Sequence, residues 1–221
     1  MPLEAPVFYT KKEGVYRALR EAIMRCELAP ESRLVVDELA RQMGVSTIPI
    51  REALQQLQAE GLVRIVPYVG AIVAPVPAQT VDEVFLLLQQ IEALLAPRVC
   101  AQRTEADLAD LDRLLAAARA AEEAGDGEAW AAANSALHRR IAAIAQMPLV
   151  EEVANRVYDA WDRLRHYLLG RQDLGERMAA TRAEHQALVE AIRTGDGRTL
   201  RQLLVAHRKS ALQAFHRAAK K

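Results

Sequence analysis

The sequence is poor in cysteine, in aromatic residues and in net charge. Its 221 residues include two cysteines, Cys26 and Cys100, which form no CxxC motif. Two isolated cysteines without this motif are more typical of small buried thiols in a reducing compartment than of a disulfide. Aromatic residues make up only 5% of the chain, whereas alanine, leucine and arginine are abundant. This composition is typical of helices that pack through aliphatic side chains. The formal net charge is zero, so composition gives no support for a nucleic-acid partner.

Long apolar runs are missing too. No uninterrupted apolar stretch reaches the roughly 18 residues that a membrane span needs. No apolar segment follows a basic start, as it would in a secretory signal. We therefore expect a cytoplasmic protein with no membrane partner. The HExxH motif and a Gly-rich phosphate loop are also absent from the sequence, which argues against an enzyme.

Residues 8–76 predict a small domain of three helices and a hairpin. Apolar residues recur first at helical spacing and then at strand spacing. Ser46 is a good N-cap for the third helix. The predicted elements are helices at 12–26, at 36–43 and after Ser46, then strands at 62–66 and 71–74. Pro75-Val76-Pro77 follows as a stiff, extended linker.

Residues 79–219 predict a domain made only of helices. Turn signals such as Gly125-Asp126-Gly127 and Gly195-Asp196-Gly197 divide this part of the chain. The predicted helices span 80–103, 104–125, 128–146, 148–170, 176–194 and 197–219. Short connections favour an antiparallel bundle. The predicted fold class is mostly α: an N-terminal winged helix-turn-helix plus a C-terminal all-α antiparallel helical bundle.

The second and third helices, joined at Gly44-Val45, have helix-turn-helix form. This arrangement would project Ser46, Thr47 and Arg51, at the start of the third helix, into a DNA major groove. The free amide groups there suit a phosphate, and Arg51 suits a phosphate or a guanine. Gly70 would let the hairpin approach the DNA backbone closely. Three packed helices and a hairpin with no role in DNA binding remain an alternative.

An extended motif covers residues 28–70. It includes Leu28-Ala29-Pro30, Met43-Gly44-Val45-Ser46, Pro49-Ile50-Arg51-Glu52-Ala53-Leu54 and Glu60-Gly61-Leu62-Val63. The motif resembles the signature of the GntR family of bacterial transcription regulators. The helical remainder resembles the FCD effector domain of the FadR-like branch of that family. The resemblance implies a DNA-binding regulator, a repressor by our interpretation, whose affinity for double-stranded operator DNA depends on a small-molecule effector.

The predicted DNA-binding residues lie in the helix-turn-helix, the preceding segment and the hairpin. They are Arg33, Ser46, Thr47, Ile48, Pro49, Arg51, Gln55 and Gly70. The family usually has arginine and threonine where this chain has Thr47 and Ile48, so we expect an altered operator preference. Helix-turn-helix proteins usually read two half-sites, which predicts a homodimer.

Three of the five histidines fall on apolar helix faces, namely His138, His185 and His207. Buried imidazoles need partners, and a bundle whose helices each aim a histidine inward is a common way to build a metal site. Taken singly, each histidine also fits a hydrogen-bonded core residue. Asn134 precedes His138 by four residues on the same face. His166 and His216 fit surface residues.

The resemblance gives these positions a role. Many FCD domains bind a divalent metal through an Asp-x3-His pair and two later histidines, positions that Asn134, His138, His185 and His207 match. Zinc, nickel and manganese are the candidate metals. Because the Asn134 amide brings no negative charge, we expect weaker metal affinity than an aspartate would give.

The resemblance also implies an effector cavity beside the metal. Glu92 matches a glutamate of the family, but Leu88 stands where an arginine often meets a carboxylate ligand. This favours a more apolar metabolite, or an organic acid bound mainly through the metal. A helical metalloenzyme and an adaptor that does not bind DNA are the two alternative functions; we expect no enzyme.

Overall fold

The computed structural model describes residues 11–77, 80–169 and 175–218, and it divides the chain into two units that meet between Pro77 and Ala78. The fold is mostly helical in both units. Each unit has its own elements and its own buried side chains. The predicted fold class is confirmed.

The N-terminal unit is a winged helix-turn-helix. Its elements are α1 (Lys11–Met24), β1 (Arg33–Leu34), α2 (Val36–Met43), α3 (Thr47–Ala59), β2 (Val63–Val66) and β3 (Gly70–Val73). The strands pair antiparallel in the order β1-β3-β2, with Ile65 opposite Ala71 in the predicted hairpin. Strand β1 was not predicted, because two residues are too few to show a strand period. It pairs Arg33 with Ile72 and so attaches the segment before α2 to the hairpin.

Apolar side chains from α1 and α3 form the centre of this unit. Ile23, Ile50 and Leu57 are fully buried, and each contributes about 1.5–3 kcal/mol through burial. Helix α2 ends at Gly44, whose φ of 64° is left-handed and favours glycine. Cys26 was predicted as a small buried thiol, at the end of the helix expected over 12–26. Instead it lies beyond the end of the helix with a φ of 56° and is half-buried.

The C-terminal unit is an all-helical bundle. Its helices are α4 (Val81–Gln102), α5 (Glu105–Glu123), α6 (Gly127–Ile144), α7 (Pro148–Leu169), α8 (Gly175–Thr194) and α9 (Gly197–Ala218). Local sequence fixes several helix starts. Thr104 and Asp107 form a capping box on α5, and Asp126 accepts hydrogen bonds from two amides of α6. Asp196 does the same for α9.

Helix α4 lies at the centre of the bundle and contacts α6, α7, α8 and α9. Leu88, Ala96 and Val99 are fully buried on it. A Cβ at Gly197 would meet the Pro97 backbone at 3.0 Å, so the start of α9 approaches α4 as closely as glycine allows. Within the described residues, α4 is the one helix long and apolar enough to cross a membrane. Half of its most apolar stretch is buried, as in the core helix of a bundle.

Candidate functional site

Three helices of the C-terminal unit bring three buried imidazoles together. His138 lies on α6, His185 on α8 and His207 on α9. One ring nitrogen of each lies within 4.8 Å of the others. Nε2 of His138 is 3.1 Å from Nε2 of His207, and the His185 ring is 5.3 and 5.1 Å from those two rings, centroid to centroid. The sequence-predicted histidines therefore do form one cluster.

Two carboxylates orient two of these rings. Nδ1 of His207 donates to Oε2 of Glu184 at 2.7 Å, and Nδ1 of His138 lies 3.0 Å from Oε1 of Glu92. A carboxylate only accepts, so the bond to Glu184 favours the proton on Nδ1 of His207 and leaves a lone pair on its Nε2. That lone pair can accept a proton from Nε2 of His138, 3.1 Å away, or bind a metal ion held between the two rings.

The surroundings of His207 disfavour the protonated, charged form of its imidazole. The pKa of His207 is lowered from 6.5 to about 4; burial is the largest cause, and the neighbouring His138 acts in the same direction. The hydrogen bond to Glu184 opposes the shift without reversing it. His207 is therefore neutral near pH 7, which is the form that binds a metal.

The spacing of the imidazoles suits a transition metal. Metal–nitrogen bonds of about 2.0–2.1 Å, at angles between octahedral and tetrahedral, place two ligand nitrogens about 2.8–3.4 Å apart. The separation between His138 and His207 falls in that range. Asn134 is half-buried one turn before His138, and no hydrogen bond among the described residues joins it to these rings. The fit to a metal thus rests on three imidazoles.

Glu92, which we predicted to line the effector cavity, is the centre of a buried polar network. Arg208 donates to both of its carboxylate oxygens, with Nε at 2.7 Å from Oε2, and the Tyr158 hydroxyl donates to Oε1 at 2.8 Å. Burial raises the pKa of Glu92, but Arg208 and His138 outweigh burial and hold the pKa well below its usual range. Leu88, one turn earlier, is fully buried.

The predicted DNA-binding residues lie on the surface of the N-terminal unit. Ile48, in the first turn of α3, is 66% exposed, and Arg51 and Gln55 are exposed along the same helix. Thr47 and Pro49 are half-buried. Ser46 occupies the N-cap position, but its side chain makes no capping hydrogen bond, so the amides of the first turn are not capped by it.

The hairpin and β1 form a second exposed part of this surface. Arg33 is exposed on β1, and its Nε lies 3.9 Å from where a Cβ of Gly70 would be. At the hairpin tip Tyr68 is fully exposed with a φ of 62°. The structure thus places Arg33 and Gly70 next to each other, which the sequence pattern did not show.

Comparisons with known proteins identify both units. The family model "Bacterial regulatory proteins, gntR family" matches residues 11–73, and the FCD domain model matches residues 83–210. The chain belongs to the GntR family and carries an FCD domain. Both families comprise transcriptional regulators rather than enzymes, so this GntR regulator is not an enzyme.

Curated relatives of this chain are named as transcriptional regulators too. The HTH-type transcriptional repressor GlaR of Escherichia coli K12 is 30% identical over 199 residues, which cover 87% of this chain and 90% of GlaR. An uncharacterized HTH-type transcriptional regulator in an unstable DNA locus of Streptomyces ambofaciens is 44% identical over 78 residues. That match spans 35% of this chain and only 33% of the relative.

Solved structures share the fold. E. coli McbR/YncC superposes with a TM-score of 0.79 at 23% sequence identity, covering 95% of this chain and 99% of that one. A putative GntR regulator from Rhodococcus sp. RHA1 gives a TM-score of 0.76 at 20% identity, covering 93% and 97% of the two chains. At these identities the likeness concerns the fold alone.

Three residues of the GntR regulator's buried site were missing from the sequence prediction: Tyr158, Glu184 and Arg208. Arg208 did carry a signal, since it follows the buried Leu204 by four residues and precedes the buried Phe215 by seven. A charged residue on such a stripe implies a buried counter-charge. Tyr158 and Glu184 were not singled out in the sequence; they are joined to Glu92 and His207 on other helices.

A surface cleft of about 280 Å³ reaches His185 between α5, α6 and α8. Arg119, Trp130 and Arg182 line it together with His185. The two predicted cavity residues, Leu88 and Glu92, do not belong to this cleft. Its volume is near the lower limit of small-molecule sites. The cleft therefore borders one imidazole of the cluster, although the His185 ring itself is buried.

Proposed function

We propose that this GntR regulator is a cytoplasmic, homodimeric repressor of transcription. It binds operator DNA through residues 8–76 and a small-molecule effector through residues 79–219. The observation that carries the proposal is the combination, in one chain, of an exposed reading helix and a buried three-histidine centre. The relative GlaR is itself named a transcriptional repressor.

DNA recognition rests on the first turns of α3 and on the hairpin. Arg51 suits a guanine edge or a phosphate, and the free amides at Ser46 and Thr47 suit a phosphate. Ile48 brings an exposed apolar group to the same place. The C5-methyl of thymine is the apolar feature of the major groove, so Ile48 favours an A·T pair. Arg33 and Gly70 contact the adjacent DNA backbone.

The metal centre consists of His138, His185 and His207, with Asn134 as a neutral oxygen ligand. Glu92 and Glu184 each contact Nδ1 of one ring, so that these two rings turn their Nε2 atoms toward each other. Zinc, nickel and manganese all accept imidazole, and ligand type does not separate them. When bound, the metal supplies a positive, Lewis-acidic charge that attracts an organic acid. A more apolar metabolite would instead rely on the surrounding aliphatic side chains.

Regulation requires that the effector bind one conformation of the dimer more tightly than the other. The effector then shifts the orientation of the two DNA-binding units and changes operator affinity. Any metabolite that binds both conformations equally well would leave repression unchanged.

The DNA-binding part of the proposal is tested by selection from random duplex DNA, followed by mobility shift with Arg51→Ala. We expect wild type to enrich one motif at moderate salt, and the variant to lose that motif while keeping its circular dichroism spectrum. Glu52→Ala, a neighbouring exposed position, is the matched control and should keep binding. Failure of wild type to enrich any motif would overturn the proposal.

The metal part is tested by elemental analysis of the purified protein and by thermal unfolding with added metal. We expect up to one metal ion per chain and a raised Tm. His185→Ala should abolish both effects, whereas His216→Ala, which removes an exposed histidine paired with Asp82, should not. No metal and no thermal shift in wild type would rule out the centre.

A further inference from the structure

A cleft of about 470 Å³ lies between the end of α4 and the start of α9. The side chains that line it come from these two helices and are Pro97, Cys100, Ala101, Arg198 and Arg201. Its volume lies within the range of small-molecule sites. It shares no lining residue with the smaller cleft beside the histidine cluster and includes no member of that cluster. We call it the α4–α9 cleft.

Two glycines around the start of α9 bring the walls of this cleft together. A Cβ at Gly197 would meet the Pro97 backbone at 3.0 Å, and one at Gly195 would meet the Arg103 guanidinium at 2.7 Å. Arg103 also donates from Nε to the backbone carbonyl of Arg193 at 3.3 Å, which ties the end of α4 to the end of α8. Because these contacts fix the turn against α4, the cleft is formed before any ligand binds.

The wall that α9 supplies is positively charged. Arg198 and Arg201 are exposed and lie three residues apart, so both side chains project from the same face of the helix. Among the described residues, no acidic side chain lines the cleft, and neither arginine forms an ion pair. Two guanidinium groups therefore line the cleft without a carboxylate bound to either of them.

Asp196 is the acidic residue closest to these arginines in sequence, and its carboxylate is already engaged. It accepts hydrogen bonds from the amides of Arg198 and Thr199 and from the Thr199 hydroxyl. The bond from the Thr199 amide is the largest cause that lowers the pKa of Asp196, and the charge of Arg198 adds to it. Because Asp196 caps these amides of α9, an anion in the cleft would be bound by the arginine side chains and not by the helix terminus.

The wall that α4 supplies is apolar. Pro97 and Ala101 are exposed there, and Cys100 is buried. The Cys100 thiol donates to the Ala191 carbonyl at 3.7 Å. Burial raises the pKa of this thiol, so it is neutral near pH 7 and does not repel an anion. The cleft thus combines an apolar wall with a pair of cations, which suits a ligand that has an apolar body and an anionic group.

We propose that the α4–α9 cleft is a second ligand site, for a small organic phosphate with an apolar body. A guanidinium is planar and donates parallel hydrogen bonds that match phosphate oxygens. A phosphate monoester carries nearly two charges near pH 7, so it uses both arginines, whereas a single carboxylate would leave one unused. The site goes beyond the proposed function, because it contains no histidine, needs no metal and includes no predicted DNA-binding residue.

The test is calorimetric titration of the full chain with phenyl phosphate, in a phosphate-free buffer. Inorganic phosphate and phenol represent the two halves of this probe. We expect phenyl phosphate to bind once per chain and at least about tenfold more tightly than either half. Arg201→Ala should raise its Kd about tenfold or more, whereas Arg201→Lys, which keeps the charge, should raise it less. Arg156→Ala, at an exposed position on α7, is the matched control and should leave the Kd unchanged.

Two further variants locate the bound probe. Ala101→Phe fills the cleft and should abolish binding, with an unchanged circular dichroism spectrum. His185→Ala alters the histidine cluster and should leave the Kd for phenyl phosphate unchanged. Loss of binding in His185→Ala would place the probe at the histidine cluster and overturn the proposal.

The proposal also fails if wild type does not bind phenyl phosphate, or if Arg201→Ala and Ala101→Phe bind it as wild type does. Equal affinities for phenyl phosphate and inorganic phosphate would overturn the assignment of an apolar body. The DNA-selection experiment is separate from this one. A chain that binds phenyl phosphate in the α4–α9 cleft but enriches no DNA motif would refute the proposed function and leave this site standing.

Discussion

Ile48 exposes two thirds of its surface in the first turn of α3, where the start of a reading helix meets base edges. No acidic side chain lies in this turn to repel DNA. This exposed side chain is available to a partner in the groove. The preference for a thymine methyl group that we propose for it follows from its apolar chemistry and not from a charge.

Replacing thymine with deoxyuridine in the selected operator tests this contact, because the exchange removes only the C5-methyl group. We expect the change at one base pair per half-site to weaken binding by about 0.8 kcal/mol per methyl, or about fourfold in Kd. Fluorescence anisotropy measures it. We expect the Ile48→Ala variant to bind the thymine and deoxyuridine operators with the same Kd. If this variant loses as much affinity as wild type on the exchange, the contact is refuted.

Arg208 holds the buried network together. Arg208→Ala leaves the Glu92 carboxylate buried without its counter-charge, and we expect a loss of about 3–5 kcal/mol in the free energy of unfolding. Urea denaturation measures this loss. Arg113→Ala, at an exposed position, should change the value by less than about 0.5 kcal/mol. A similarly small effect of Arg208→Ala would contradict the network.

Glu184 orients His207 without being a ligand in our proposal. Glu184→Gln keeps the size of the side chain but removes the charge that holds Nδ1 protonated, so we expect metal affinity to fall about 10- to 100-fold. Competition with a chromophoric chelator measures the affinity. Glu190→Gln, an exposed position on the same helix, is the control. Equal affinities for both variants would show that Glu184 does not position the ligand.

The three histidines were predictable because each lies on a helical stripe that a single helix reveals. Their partners were not. Glu92 and Arg208 are 116 residues apart, and only the packing of α4 against α9 brings them together. Leu88 stands where the family often has an arginine, and the arginine that contacts Glu92 comes from another helix.

At the scale of secondary structure elements, local signals were sufficient for the helices. Caps and turns such as Thr104 and Asp126 determine where helices begin, whatever the rest of the fold does. Strand β1 depends instead on pairing with β3, a contact between distant residues that no local pattern encodes. Ser46 shows the opposite case, a good cap by residue type whose side chain makes no capping bond.

Helix α1 is attached to the end of α3 by polar contacts as well as by the core. The Tyr16 hydroxyl donates to Oε1 of Glu60 at 2.7 Å, and Arg20 contacts the same carboxylate at 3.2 Å. Burial, followed by the bond to Glu60, raises the pKa of Tyr16 from 10.0 to about 12. The folded state therefore keeps this proton at a pH where the unfolded chain has lost it.

This difference in the pKa of Tyr16 between the folded and unfolded states makes the stability of the fold depend on pH. The contribution of Tyr16 to stability is complete below pH 10 and is lost as the pH rises from 10 to about 12. We expect Tyr16→Phe to show a weaker fall in Tm over that range than wild type. The difference in phenolate absorbance between the two proteins should report the pKa of Tyr16. Parallel falls in Tm would show that Tyr16 does not contribute.

At the scale of the whole molecule, the chain combines a GntR winged helix-turn-helix unit and an FCD unit, each with its own core. The sequence patterns were sufficient to recognise both units, because each has its own periodicity and motif. The exposure of one face of α4 was not predictable at that stage, because it becomes visible only once the other face is buried against the bundle.

The central claim is that this GntR regulator reads a specific DNA sequence. Its most direct test is the ratio of Kd values for the selected operator and for a shuffled duplex of equal composition, measured by anisotropy at about 150 mM salt. We predict a ratio of about a thousandfold or more, as is usual for specific DNA-binding proteins. Equal affinity for both duplexes, falling together as salt is added, would contradict the claim.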